Sequence, residues 1–133
     1  MTDIEQERLA FDRAVSHATT YLAGIRSRVV APADEAVTRH RNLATPPPEE
    51  PMDPVDVIDL LDAIGSPATI ANAGGRYFGF VNGGALPAAR AAGVLAAAWD
   101  QNAAMRVMSP VAAALEDVTI AWLIDLLGLP AGS

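Results

Sequence analysis

A mainly α-helical fold of about four helices, joined by a proline-rich strap and one aromatic, glycine-bounded loop, is what the sequence predicts. Three observations carry that reading. Aromatic residues make up only 5% of the chain while alanine is abundant, which favours close-packed helices over sandwiched strands. Apolar residues recur at three- and four-residue steps in several segments. Prolines and glycines gather at the starts, ends and gaps of those segments, where helices begin and stop. With 133 residues, 51% of them hydrophobic, the chain is the size of one domain and does not read as disordered throughout.

The first helix is expected over residues 5–28, where Phe11, Ala14, Ala18, Leu22 and Ile25 share one apolar face. Acidic residues lead it and arginines follow, as the helix dipole favours. His17 reads as a partly exposed helix residue. From Val29 to Pro54 the pattern breaks, because Pro32, Pro46, Pro47, Pro48, Pro51 and Pro54 forbid a continuous helix. A short helical turn fits Asp34–Asn42. Thr45–Asp53 reads as an extended, polyproline-like strap lying over another surface, with a ligand for a proline-binding domain as the alternative.

Asp53-Pro54 supplies an N-cap and first position to a helix over Pro54–Ile64, which Gly65 and Pro67 should stop. Asp53, Asp56, Asp59 and Asp62 run along that helix; a solvated acidic face is the preferred reading and a metal site the distant one. A helix from Pro87 to about Asn102 is dominated by alanine, so it should pack closely, either buried or at an interface. Ser109-Pro110 then opens the last helix. Val111, Leu115, Val118, Trp122 and Leu126 line one face, and Ile120, Leu123, Ile124 and Leu127 make others apolar, so burial is expected. Gly128 and Pro130 end it, and a tail of Ala131-Gly132-Ser133 follows.

Composition excludes several functions. A net charge of −7 leaves no basic stripe to neutralise phosphates, which argues against nucleic acid. Without cysteine there are no disulfides, thiolate metal sites or Cys nucleophiles. His17 and His40 lack ligand-like spacing, so no metal site is expected. The acidic start at Asp3, Glu5 and Glu7 is the opposite of a signal peptide, and no apolar run is long enough to span a membrane. A soluble, cytoplasmic protein is the expectation. All nine positive charges are arginines; the chain has no lysine.

The stretch Arg76–Gly84 stands apart. It places Tyr77, Phe78 and Phe80 within four positions and then reaches a glycine pair. Gly79, Gly83 and Gly84 disfavour a helix, while the aromatic rings favour burial. Two readings follow: a loop that approaches a ligand, with Asn82 as its polar tip, or a plain buried strand and turn.

Taken with Trp99-Asp100-Gln101-Asn102, Ser109-Pro110, Leu115-Glu116 and the run Trp122–Pro130, this stretch resembles the group II pyridoxal-phosphate-dependent decarboxylases, which include the aromatic-L-amino-acid and glutamate decarboxylases. The run from Pro47 to Pro54 is similar to the strap before that family's second helix. The resemblance spans nearly the whole chain, is weakest before residue 30, and rests on the order of the motifs more than on any one of them. It implies the N-terminal portion of a fold type I, α/β transferase. Residues 1–84 would form an arm that clasps the partner subunit of a homodimer. Residues 85–133 would begin the large cofactor-binding domain. Phe80, Val81 and Asn82 would line the pocket for an L-amino-acid substrate, and Asn102 and Ala104 would lie in a segment that reaches the partner's pocket. Val81 stands where relatives often have proline, and Asn82 where they often have a small hydroxyl residue, so the substrate amino acid is left open.

Pyridoxal phosphate chemistry needs a lysine to hold the cofactor as an imine. None exists here, so the resemblance implies a fragment or half of a split gene, with no catalytic residue and no covalently bound cofactor of its own, needing its missing portion or partner subunit. The competing expectation is a non-enzymatic helical dimerisation module.

Overall fold

Caps and apolar spacing lead to five α-helices and one 3-10 turn in the computed structural model, which describes residues 2–82, 84–130 and 132, the side chain of Asn42 apart. No strand occurs among the described residues. The helices are α1 (Asp3–Gly24), α2 (Asp34–His40), α3 (Pro54–Ala68), α4 (Pro87–Trp99) and α5 (Pro110–Leu127), with the 3-10 turn Arg41–Leu43 after α2. The helix count exceeds the sequence expectation by one because Asp34–His40 forms an α-helix in its own right. Asp34 and Glu35 in its first turn and Arg39 and His40 in its last suit the dipole at both ends. Gly83 of the aromatic stretch and Ala131 and Ser133 of the tail lie outside the described residues. The chain divides into two compact units, Met1–Gly84 and Ala85–Ser133.

In the first unit α1 starts two residues earlier than the apolar pattern suggests. The Thr2 side chain accepts from the Glu5 amide, and the Glu5 carboxylate accepts in return from the Thr2 amide, a reciprocal capping box. The helix stops at Gly24 and not at residue 28. Gly24 weakens it, and the amides of Ser27 and Arg28 both turn back to the Gly24 carbonyl. Arg28 is drawn instead to the end of α3, where its guanidinium donates to the Ser66 carbonyl. Gly65 and Pro67 do not stop α3, which runs to Ala68. A proline in the last turn forgoes only its own amide, whose acceptor would be the Ala63 carbonyl; the Ser66 carbonyl, left open by the helix end, accepts from Arg28 and the Thr69 hydroxyl.

Helices α1 and α3 pack on each other, and α2 packs on α3. Contacts climb both long helices in the same sense: Arg13 and His17 meet Asp59, His17 meets Asp62, and Tyr21 meets Thr69. Just beyond, the amide of buried Ala71 donates to the Val30 carbonyl at 2.9 Å, tying the chain after α3 to the chain after α1. Residues 45–53 are exposed and outside regular secondary structure, as the run of prolines requires.

In the second unit α4 ends at Trp99, three residues short of the expected Asn102, because Asp100 takes a left-handed conformation that caps it. Ser109 caps α5, its hydroxyl accepting from the Ala112 amide at 3.4 Å, and Gly128 closes it in the left-handed region. Ser109 is the only buried residue among those described in this unit. Backbones of α4 and α5 make no close approach to each other among the described residues. The burial expected of both helices is therefore not met inside the unit: Trp122 is 66% exposed and Leu126 78%.

Candidate functional site

The aromatic loop is built by two successive turns. Tyr77 donates its amide to the Gly74 carbonyl at 3.3 Å, and Asn82 donates its own to Gly79 at 3.2 Å. A Cβ at Gly79 would lie 2.8 Å from the Tyr77 hydroxyl, so any other residue there would push that ring aside. Inside the second turn Phe80 and Val81 adopt left-handed backbone, with φ of 54° and 57°. For a β-branched residue such as Val81 this is a conformation that costs roughly 1–2 kcal/mol. Phe78 and Phe80 are 91% and 90% exposed and Val81 fully so. Tyr77 alone of the three rings is partly covered. The expected burial of the rings is thus corrected: the loop holds Tyr77 against its own glycine and turns the other apolar side chains outward.

Asn102 and Ala104, the other sequence-predicted pair, are joined directly. The Asn102 side chain accepts from the Ala104 amide at 3.0 Å, an Asx-type turn that sets the path of the chain between α4 and α5. Both are exposed. Arg106 fixes the far side of this segment through Asp117 at 2.7 Å. The two sets of predicted residues belong to different units.

Sequence reasoning missed the polar seam between α1 and α3. His17 sits with Nε2 at 2.6 Å from Asp59 and Nδ1 at 3.1 Å from Asp62. Arg13 reaches both Asp59 oxygens, at 2.8 and 3.0 Å. The hydrogen bond from His17 holds the Asp59 carboxyl below its ordinary range; partial burial opposes that shift and the Arg13 charge adds to it. The Asp series expected to be a purely solvated face is therefore half engaged, with Asp59 and Asp62 turned toward α1. Ser66 lies nearby, but its hydroxyl donates to Asp62 at 2.5 Å and not to the ring. A hydrolytic triad needs the imidazole to take the serine proton, so this cluster fastens two helices and does not activate a nucleophile. The i, i+3 spacing of Asp59 and Asp62 was the available signal; what concealed it was that their partner lies 42 residues away from Asp59.

Two cavities lie along and just beyond α1. One of about 480 Å³, with Ala14, Ala18, Ile58, Leu61 and Ile70 in its wall, is chiefly apolar. The other, of about 470 Å³, lies where α1 ends against the turn 71–76. No group of three or more His, Asp or Glu that could hold a metal ion occurs among the described residues, and none of their helices is long and apolar enough to cross a membrane. No protein-family model, curated protein or solved structure matches this chain.

Proposed function

We propose that this chain is the N-terminal part of a pyridoxal-phosphate-dependent amino-acid decarboxylase, acting in the cytoplasm, in which it supplies a dimer clasp and one wall of the substrate pocket. The observation that carries the reading is the loop at Phe80, Val81 and Asn82. Left-handed, non-glycine backbone persists where the surroundings over-determine it, and it clusters at ligand clamps. Here Phe80 and Val81 combine that backbone with almost complete exposure. Such a loop suits a wall completed by residues from elsewhere. Asn82 is the side chain placed to discriminate among L-amino-acid substrates, and Asn102 and Ala104 extend toward the partner subunit's pocket.

The residues present do not fit the cofactor's covalent attachment. Without a lysine in the 133 residues, the imine has to come from a lysine outside them, and no side chain here is assigned a step in the loss of the carboxylate. The test is the state of the protein in its source. Mass spectrometry should find these residues within, or stably bound to, a lysine-bearing polypeptide whose cofactor is fixed by borohydride reduction. A free 13.8 kDa protein with no associated cofactor would leave the helical dimerisation module standing instead.

A further inference from the structure

We infer that the cavity between the end of α1 and the turn 71–76 binds a doubly charged phosphate monoester through Arg26, Arg28 and Arg76. The inference is independent of the decarboxylase reading. All three guanidinium-bearing residues line the same space of about 470 Å³, a volume suited to a small metabolite. The remaining lining residues are Ile25, Val30, Ala71, Ala73 and two glycines, so no carboxylate borders it. That is a local reversal of charge in a chain of net −7. Arg8, Arg13 and Arg106 each meet an aspartate; Arg26, Arg28 and Arg76, like Arg39, Arg41 and Arg90, make no ion pair among the described residues, but the first three alone share one cavity wall.

The sequence brings them together through two devices. Gly74 lets the turn 71–76 lie against α1, since a Cβ there would come within 3.2 Å of the Ile25 carbonyl and 3.3 Å of the Ala71 carbonyl. Two of the arginines are then held by single main-chain contacts. Arg28 donates to the Ser66 carbonyl, with its guanidinium over the Tyr21 ring at 4.8 Å from the centroid. Arg76 donates to the Arg28 carbonyl. A guanidinium carries five N–H donors, so each of the two keeps most of its donors after that contact. Pre-set forks lose less entropy on binding than mobile ones.

Fastening main-chain carbonyls accounts for Arg28 and Arg76 but not for Arg26, which makes no hydrogen bond among the described residues. Three positive charges also exceed what one carboxylate needs, because a carboxylate is satisfied by a single bidentate fork. A phosphate monoester presents three terminal oxygens and up to two negative charges, which matches the forks of Arg26 and Arg76 with the Arg28 charge beside them on the border with the neighbouring cavity of Tyr21 and Ser66.

Isothermal titration calorimetry of the full chain tests this, with glycerol phosphate as the probe and with succinate and chloride as comparisons at matched ionic strength. The expected result is saturable one-to-one binding of the monoester, weaker binding of succinate, and none of chloride. Arg26→Gln should weaken the monoester about tenfold, as loss of one charge-assisted contact does, with the circular dichroism of the chain unchanged. Arg26→Lys, which keeps the charge but loses the fork, should fall between the two and serves if the glutamine variant does not fold. Absent or non-saturable binding, succinate binding more tightly, or unchanged affinity in the Arg26 variants would each overturn the proposal.

Discussion

Asp59 gathers the ring of His17 and the guanidinium of Arg13 on one carboxylate, and its pKa is lowered as a result. The sign of the consequence is fixed. The unfolded chain holds the proton on Asp59 more tightly, so this group favours the folded state above the unfolded value of about 3.9. That contribution fades as pH falls through the lower folded value. Thermal midpoints measured from pH 6 down to pH 2 should therefore decline less steeply for Asp59→Asn than for the unaltered chain; parallel curves would show that the seam adds nothing. The exposed loop makes a second residue-level prediction. Val81→Gly removes the cost of a β-branched side chain at φ of 57°, offset in part by the greater freedom of glycine in the unfolded chain. A net gain of about 0.5–1 kcal/mol is expected in thermal unfolding, whereas Val81→Ala, which keeps a Cβ, should recover less. Neither residue's behaviour was legible in the sequence. Asp59 looked solvated because its partners are distant in the chain, and the aromatic run of 77–80 spoke for burial where the glycines around it allowed turns.

Helix ends show where the sequence could be read and where tertiary contacts overruled it. Ser109-Pro110 and Gly128 were plain start and stop signals, and α5 spans Pro110–Leu127 between them. Both caps can be tested together. Ser109→Ala removes the hydroxyl that accepts from the Ala112 amide and should cost about 1 kcal/mol. Gly128→Ala forces a Cβ onto a φ of 60° and should cost a similar amount. Each should appear as a lower thermal midpoint in circular dichroism at 222 nm, and near-additive losses would mark the two ends as independent. Thr2 and Glu5 carried the spacing of a capping box and were legible in principle. Pro67 was not: α3 carries it inside its last turn, where the Ser66 carbonyl meets Arg28 from the chain that follows α1. The alanine face of α4 and the many-sided apolar surface of α5 read as surfaces that need covering, and nothing in periodicity says which partner would cover them.

The whole chain exposes 10439 Å². A folded monomer of 13.8 kDa exposes about 6,600 Å². Counting the two units as independent small domains raises that expectation only to about 7,900 Å². The strap at 45–53 accounts for part of the difference. Much of the rest is apolar: Leu115, Trp122, Leu126 and Leu127 on α5, and Phe78, Phe80 and Val81 on the loop, are all exposed. An excess on the order of 2,000 Å² is the size of a stable protein–protein interface, and patches of this kind drive association when left open. Both functional readings place a partner there, so the isolated chain should not behave as a monomer. Sedimentation velocity is expected to show species heavier than 13.8 kDa whose proportion rises with concentration, and a hydrophobic dye should bind and fluoresce. Leu115 and Leu126 lie on the same face of α5, so Leu115→Glu combined with Leu126→Glu should shift the distribution toward monomer and reduce dye binding, without lowering helix content. A concentration-independent monomer that binds no dye would mean that these surfaces find cover within the chain itself, and would remove the reason for assigning them to a partner.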